Sequence, residues 1–324
     1  MKRDWLPLLL VPVVALVALP LVGSATSWVT LTVAGLAMGL MIFIMASGLT
    51  LTFGLMDVLN FGHGAFIAVG AFVAASVMLA LSPWMTAESI WLNLAAVGPA
   101  VLAAMIVSGA LGLGFERVIV RPVYGQHLRQ ILVTTGGLIV AEQLLKVVWG
   151  PEQITLSRPT ELRGAFLLGD VAIEKYRVLA VAVGLVVFAA MAITLNRTRI
   201  GLLIRAGVEN GEMVEALGYR IRRLFVGVFV AGSALAGLGG AMWGLYQETI
   251  TAAIGAQVAV LVFIVIIIGG LGSVGGCFIG ALLVGLSANY IGFIAPKVAL
   301  GSNILLMALI LLWRPQGLYP VANR

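Results

Sequence analysis

The sequence holds one cysteine, Cys277, so no internal disulfide can brace it. Charge is scarce: Asp, Glu, Lys and Arg make up 10% of its 324 residues, against roughly 25% in a soluble domain. With 61% hydrophobic residues, the polar side chains cannot cover a soluble fold of this size. Ten-residue segments of alternating polarity are also missing, which excludes a membrane β-barrel. None of the four lysines follows a glycine, so no G-K-[ST] phosphate loop exists and the chain cannot bind ATP through one. His63 and His127 lack neighbours of ligand type, so no metal site is expected. No nucleophile–base set and no cofactor fingerprint is present, and an enzyme is not expected.

Long apolar runs are present instead. They lie at about 5–22, 29–53, 64–82, 92–114, 131–149, 178–195, 224–245, 256–270, 274–295 and 298–313. Several approach the 20 or so residues that a helix needs to cross a hydrocarbon core of about 30 Å. Within lipid a helix satisfies its own backbone hydrogen bonds. The expected fold is therefore all-α and polytopic, with eight to ten transmembrane helices. Charge orients it. With ten spans and a cytoplasmic N-terminus, Lys2, Arg3, Arg117, Arg121, Arg129, Arg197, Arg199, Arg205, Arg220, Arg222, Arg223, Arg314 and Arg324 share one side. The other side receives Arg158, Arg163, Lys175, Arg177 and Lys297, and Lys146 stays within a span. The positive-inside rule places the first set in the cytoplasm. This asymmetry explains the net charge of +6 without a nucleic acid. Lys2-Arg3, the apolar run and Gly23-Ser24-Ala25 resemble a secretory signal, but the run is long for one and is read as an uncleaved first helix.

Four features interrupt the apolar pattern. The first is the stretch from Gly54 to Gly64, which sets Asp57, Asn60 and His63 among glycines between two apolar spans. Gly62 and Gly64 leave the backbone free to unwind. It reads either as a broken helix on a permeation pathway, with Asp57, Asn60, Gly62, His63 and Gly64 as candidates, or as a short cytoplasmic turn with Asn60 capping the next helix. The second is the loop 196–223. Between Val208 and Leu217 it reads as one amphipathic helix, with Met213, Val214 and Leu217 on a shared face and Gly218 stopping it in a left-handed conformation. Such a helix, with no core of its own, is expected to dock on a partner. The third is Gly269–Gly276, whose Gly269, Gly270, Gly272, Gly275 and Gly276 suit a tight hairpin or close helix packing. The fourth is Glu142 and Lys146, an i, i+4 pair on one apolar helix, read as structural rather than as a proton relay.

Several of these residues form a pattern. Gly48-Leu-Thr-Leu-Thr-Phe-Gly54 with Asn60-Phe-Gly-His-Gly-Ala65 resembles the branched-chain amino-acid ABC permease family. So do Glu116-Arg-Val-Ile-Val-Arg-Pro122, Glu215-Ala-Leu-Gly218, Gly269–Gly276 and Arg314-Pro-Gln-Gly-Leu318. The resemblance covers about 35–318, leaving 1–28 as an extra N-terminal helix on a single permease domain. It implies a second, related permease, two cytoplasmic ATPase subunits that hydrolyse ATP, and a periplasmic substrate-binding protein. It also implies a bacterial inner-membrane location. It maps a coupling loop onto Arg205–Tyr219, with Arg205, Glu209, Glu212, Glu215, Ala216, Leu217 and Gly218 as candidates. Glu215 and Gly218 match the Glu-Ala-Ala…Gly signature only in part, because Leu217 replaces the second alanine. The implied function is ATP-driven import of leucine, isoleucine and valine; relatives that carry urea or short amides leave the solute open. A secondary transporter would instead need an intramembrane acid, for which Asp57, Glu142 and Glu248 are the candidates. A purely structural subunit would leave flux indifferent to changes at Asn60–Gly64.

Overall fold

The computed structural model describes residues 5–209 and 211–320. The helices are α1 (Leu6–Val22), α2 (Ala25–Met56), α3 (His63–Ala80), the short α4 (Ser82–Met85), α5 (Ile90–Phe115), α6 (His127–Trp149) and α7 (Lys175–Arg197). They continue as α8 (Arg199–Glu209), α9 (Gly211–Ala216), α10 (Ile221–Gln247), α11 (Ile254–Gly269), α12 (Val274–Ile294) and α13 (Ala299–Trp313). All ten apolar runs of the sequence are helices. Among the described residues, seven are long and apolar enough to cross a membrane, and α1, α11 and the α13 segment Gly301–Trp313 are shorter apolar helices. The fold is an all-α polytopic membrane protein. Four short strands add two small ribbons: β1 (Ile154–Thr155) pairs antiparallel with β4 (Thr249–Ile250), and β2 (Ala165–Leu168) pairs antiparallel with β3 (Val171–Glu174).

The centre of the bundle is α2. From Met41 to Thr52 every residue is buried, which is why its sequence is apolar on all faces rather than amphipathic. Its few polar groups answer their own backbone: Ser47 Oγ donates to the Ile44 carbonyl and Thr50 Oγ1 to the Ala46 carbonyl. The helices α7, α10, α11 and α12 surround it, and α3 meets it through His63.

Lipid tails are as apolar as the helices, so packing in a membrane depends on close backbone approach through small residues. Here the contacts are glycine on backbone. Gly48 of α2 faces Gly232 of α10, Gly240 of α10 lies on the Ile67 carbonyl of α3, and Gly64 of α3 abuts Gly255 of α11. The α11–α12 hairpin closes the same way, Gly269 against Gly276, with Gly270 and Gly272 at φ 96° and 82° in the connecting turn. Gly275 departs from the expected set. Nothing stands near it, because it points away from the hairpin, so it is not a packing glycine.

At the end of the bundle that holds 150–174, Arg158 acts as a staple. Its Nε and Nη2 donate to the carbonyls of Leu245 and Tyr246, at 3.0 and 2.8 Å, where α10 runs out of helical partners. Glu174 and Glu248 pair with it at 3.1 and 3.0 Å, and its guanidinium lies over the Tyr176 ring.

A Cβ at position 240 would collide with the Ile67 carbonyl. Gly240→Ala is therefore expected to destabilise the fold by ~1–3 kcal/mol and to lower the thermal midpoint in detergent. Gly98→Ala, where the space is open, should not.

Candidate functional site

The polar break sits inside the bundle. Helix α2 ends at Asp57, which adopts φ 55°. Residues 57–62 then leave helical geometry and α3 starts at His63. His63 is 2% exposed, and its Nε2 lies 2.9 Å from the Met45 carbonyl oxygen. A carbonyl can only accept, so Nε2 carries the proton. Met45 stands about three turns before the end of α2, a climb of roughly 17 Å at 1.5 Å per residue. Six residues in extended form reach about 20 Å. The chain thus turns at Asp57, climbs back beside α2 and begins α3 about halfway through a 30 Å core. Residues 57–62 are buried or half-buried, so the segment is a break packed within the bundle rather than an exposed turn. Nor is Asn60 the cap: α3 opens at Gly62 with no side-chain cap, and the Asn60 carboxamide oxygen accepts the Gly62 N–H at 3.0 Å instead.

Extended backbone at that depth needs partners for its N–H groups, since lipid offers none. They come from one face of α6. His127 Nε2 stands 3.8 Å from the Asp57 carboxylate, Gln130 Oε1 accepts the Leu59 N–H at 3.2 Å, and Thr134 Oγ1 accepts the Phe61 N–H at 3.1 Å. The spacing explains the match. Alternate residues of an extended chain repeat every 6.6 Å or so, and one helical turn advances about 5.4 Å, so three successive turns of α6 meet residues 57, 59 and 61. Apart from Leu145, Gln130 and Thr134 are the buried residues of α6. The helix therefore docks through polar side chains rather than an apolar stripe. Beyond this clasp it stands away from α5. The two helices, with α3 behind them, border an apolar groove of about 600 Å³ that runs past Phe66, Leu111, Val140 and Leu144. Trp149 closes the far end of α6 by donating to Ser76 Oγ at 2.7 Å.

The break gathers Asn60, Gly62, His63 and Gly64, all buried, while Asp57 stands at its mouth with its side chain about half exposed. Gln130 and Thr134 escaped the sequence reading because they look like ordinary polar residues on a lipid helix. Their partners lie some seventy residues away in the chain, so nothing near them in the sequence marked them. Glu116 also went unweighed as a buried acid: it is 2% exposed, and its Oε2 lacks a hydrogen-bond partner. It begins a π turn after α5. Tyr124, just beyond that span, has its phenol pushed above the ordinary range by burial and then by the charge of Glu116. Of the three acids considered for ion coupling, Glu142 pairs with Lys146 at 2.9 Å and Glu248 with Arg158, while Asp57 has the His127 ring 3.8 Å away. Glu142 and Lys146 form the structural pair expected of them.

The loop is helical over α8 and α9, on either side of residue 210, which lies outside the described residues, and α9 packs on α8 and α10. This packing carries Val214 inward, 5% exposed, while Met213 and Leu217 stay out at 62% and 71%. The shared face is thus Met213 and Leu217 alone. Gly218 does terminate α9 at φ 88°. Arg205, Glu212, Glu215, Ala216 and Leu217 are exposed. Glu209 closes α8, and its side chain lies outside the described residues, as do Lys2, Arg3 and Arg324.

A helical bundle with one span broken inside it, uncapped and lined by buried polar groups, defines an integral-membrane transport subunit. The chain belongs to the family described as branched-chain amino acid transport system, permease component, whose sequence profile matches residues 31–313. It is 29% identical over 294 residues to the high-affinity branched-chain amino acid transport system permease protein BraD of Pseudomonas aeruginosa, covering 88% of this chain and 93% of that one. It is 27% identical over 294 residues to LivH of Escherichia coli, a permease protein of a system of the same name, covering 88% and 92%. A probable branched-chain amino acid transport permease protein, LivM of Methanocaldococcus jannaschii, is 24% identical over 317 residues, covering 86% and 90%. No solved structure matches the chain.

Removing the clasp leaves a buried N–H unpaired, at about 1–3 kcal/mol each. Gln130→Leu with Thr134→Val should therefore free residues 57–61. A single cysteine at Phe61, in a Cys277→Ala background, is expected to react faster with a small maleimide in this variant than in the parent.

Proposed function

We propose that this chain is the membrane-spanning permease subunit of an ABC importer, moving leucine, isoleucine and valine by ATP-driven alternating access. The observation that carries the reading is a family match along 31–313 on a chain with a helix break packed inside its bundle. The second permease, two cytoplasmic ATPases and a periplasmic binding protein are the partners this reading requires. ATP is hydrolysed by the ATPases, and no cofactor is bound by this chain. The arginine-rich connections 115–130 and 196–223 then face the cytoplasm, with both termini, in a bacterial inner membrane.

The mechanism follows from the two sites. Met213 and Leu217 present an exposed apolar face beside exposed Glu212 and Glu215, on a short helix that bears on the start of α10. An ATPase gripping α9 would pull on α10. α10 touches α2 at Gly48–Gly232 and α3 at Ile67–Gly240, on either side of the break. Backbone contacts without intervening side chains transmit such a displacement with little slack. Closure of the ATPase pair would thus shift the walls around Asn60–Gly64 and change which side they open to.

Reconstitution tests this. Proteoliposomes holding the chain with all its partners are expected to import leucine only with ATP and binding protein. Uptake by vesicles that lack the ATPases would sink the proposal. Glu215→Arg is expected to retain insertion and ATP hydrolysis while leucine uptake falls by about tenfold or more, the scale of one lost charged contact. A cysteine at Leu217 should be labelled by an impermeant maleimide in inside-out vesicles and protected in intact cells.

A further inference from the structure

The break leaves two buried hydrogen-bond donors unused. Helix α3 opens with no side-chain cap and no acidic residue in its first turn. A helix start carries about half a positive charge and unpaired N–H groups, which favour an anion. The start of α11 arrives at the same place, Gly255 against Gly64, and it too has neither a side-chain cap nor an acid in its first turn. Two further donors sit beside them. Asn60 is 1% exposed and Gln130 is fully buried, yet Asn60 Nδ2 and Gln130 Nε2 have no hydrogen-bond partner. Neither amide can be turned over. Asn60 Oδ1 already accepts the Gly62 N–H and Gln130 Oε1 the Leu59 N–H, so exchanging O and N would set donor against donor. The Asn60 amide therefore lies over the first turn of α3 with its NH₂ unused. The acid nearest in sequence, Asp57, stands at the mouth beside His127.

Two buried amide donors without partners, beside two uncapped helix starts, are satisfied by an incoming acceptor. We infer that the head of α3 receives the carboxylate of the transported amino acid, with Asn60 Nδ2 and Gln130 Nε2 as its side-chain donors. This rests on the amino-acid reading above. The aliphatic end of such a solute has apolar surface to meet nearby: Phe61 stacks on Phe263 at 4.6 Å, and the Phe115 ring lies against Gly62.

The test uses the membrane assembly purified with its partner subunits, and reads tritiated leucine bound by scintillation proximity without the binding protein. Two competitors separate the ends of the solute. Isocaproate keeps the leucine skeleton and carboxylate but lacks the ammonium, whereas isopentylamine keeps the branched chain and ammonium but lacks the carboxylate. Isocaproate is expected to displace leucine, and isopentylamine is not. Asn60→Asp and Gln130→Glu keep the oxygens that hold Gly62 and Leu59 and replace only the spare donor. Each is expected to weaken leucine binding about tenfold or more. Displacement by isopentylamine alone would overturn the inference, as would unchanged binding in both variants. So would an absence of leucine binding in a wild-type assembly whose complete form imports leucine. ATP-dependent uptake by the complete wild-type transporter is measured first. If it carries no branched-chain amino acid, the functional reading itself fails, independently of the site.

Discussion

Every backbone amide within lipid must find its partner inside the protein, and the structure is organised around a place where helical geometry cannot provide it. Between Asp57 and Gly62 the chain leaves helical geometry inside the bundle. It persists there because Gln130 and Thr134, one turn apart on a neighbouring helix, act as the missing edge of a strand. This dependence explains why α6 carries buried polar residues and little buried apolar surface. It also explains why the break is a fixed feature of the bundle rather than a frayed helix end.

Glycine does the complementary work. Because α2, α3, α10, α11 and α12 meet backbone to backbone, the walls around the break are formed by main chain and small residues. A motion delivered to α10 at its arginine-rich end then reaches α2 and α3 through rigid contacts rather than through side chains that can change rotamer. On the proposed function the polar break and the glycine contacts are two parts of one arrangement: the first would give a polar solute a place and the second would connect it to a distant loop.

Much of this was legible in the sequence. Ten apolar runs became ten helices because bilayer thickness leaves one solution for such runs. The Gly269–Gly276 hairpin and the Glu142–Lys146 pair followed from local spacing, and the mixture of Asp57, Asn60 and His63 with glycine marked the break. The depth of the break was not legible. It depends on acceptors some seventy residues away on α6, and pairing at that distance leaves no periodic trace. Gln130 and Thr134 were missed for this reason, and so was Arg158, whose role rests on the carbonyls of Leu245 and Tyr246. Gly275 was misjudged because composition does not tell which glycine of a cluster faces the partner helix. Val214 was placed with Met213 and Leu217 because its burial against neighbouring helices is a tertiary event.

The short helix α13 has a consequence for the membrane itself. Its 15 residues span ~22 Å at 1.5 Å per residue, several ångströms less than a 30 Å hydrocarbon layer. Leu305, Leu309 and Leu312 are exposed on it, and Lys297 and Arg314 flank it. A span this short is accommodated by snorkelling of those cations, by thinning of the adjacent lipid or by a neighbouring subunit. Neighbours with similarly short spans, and lipids with shorter tails, would relieve the mismatch and gather there.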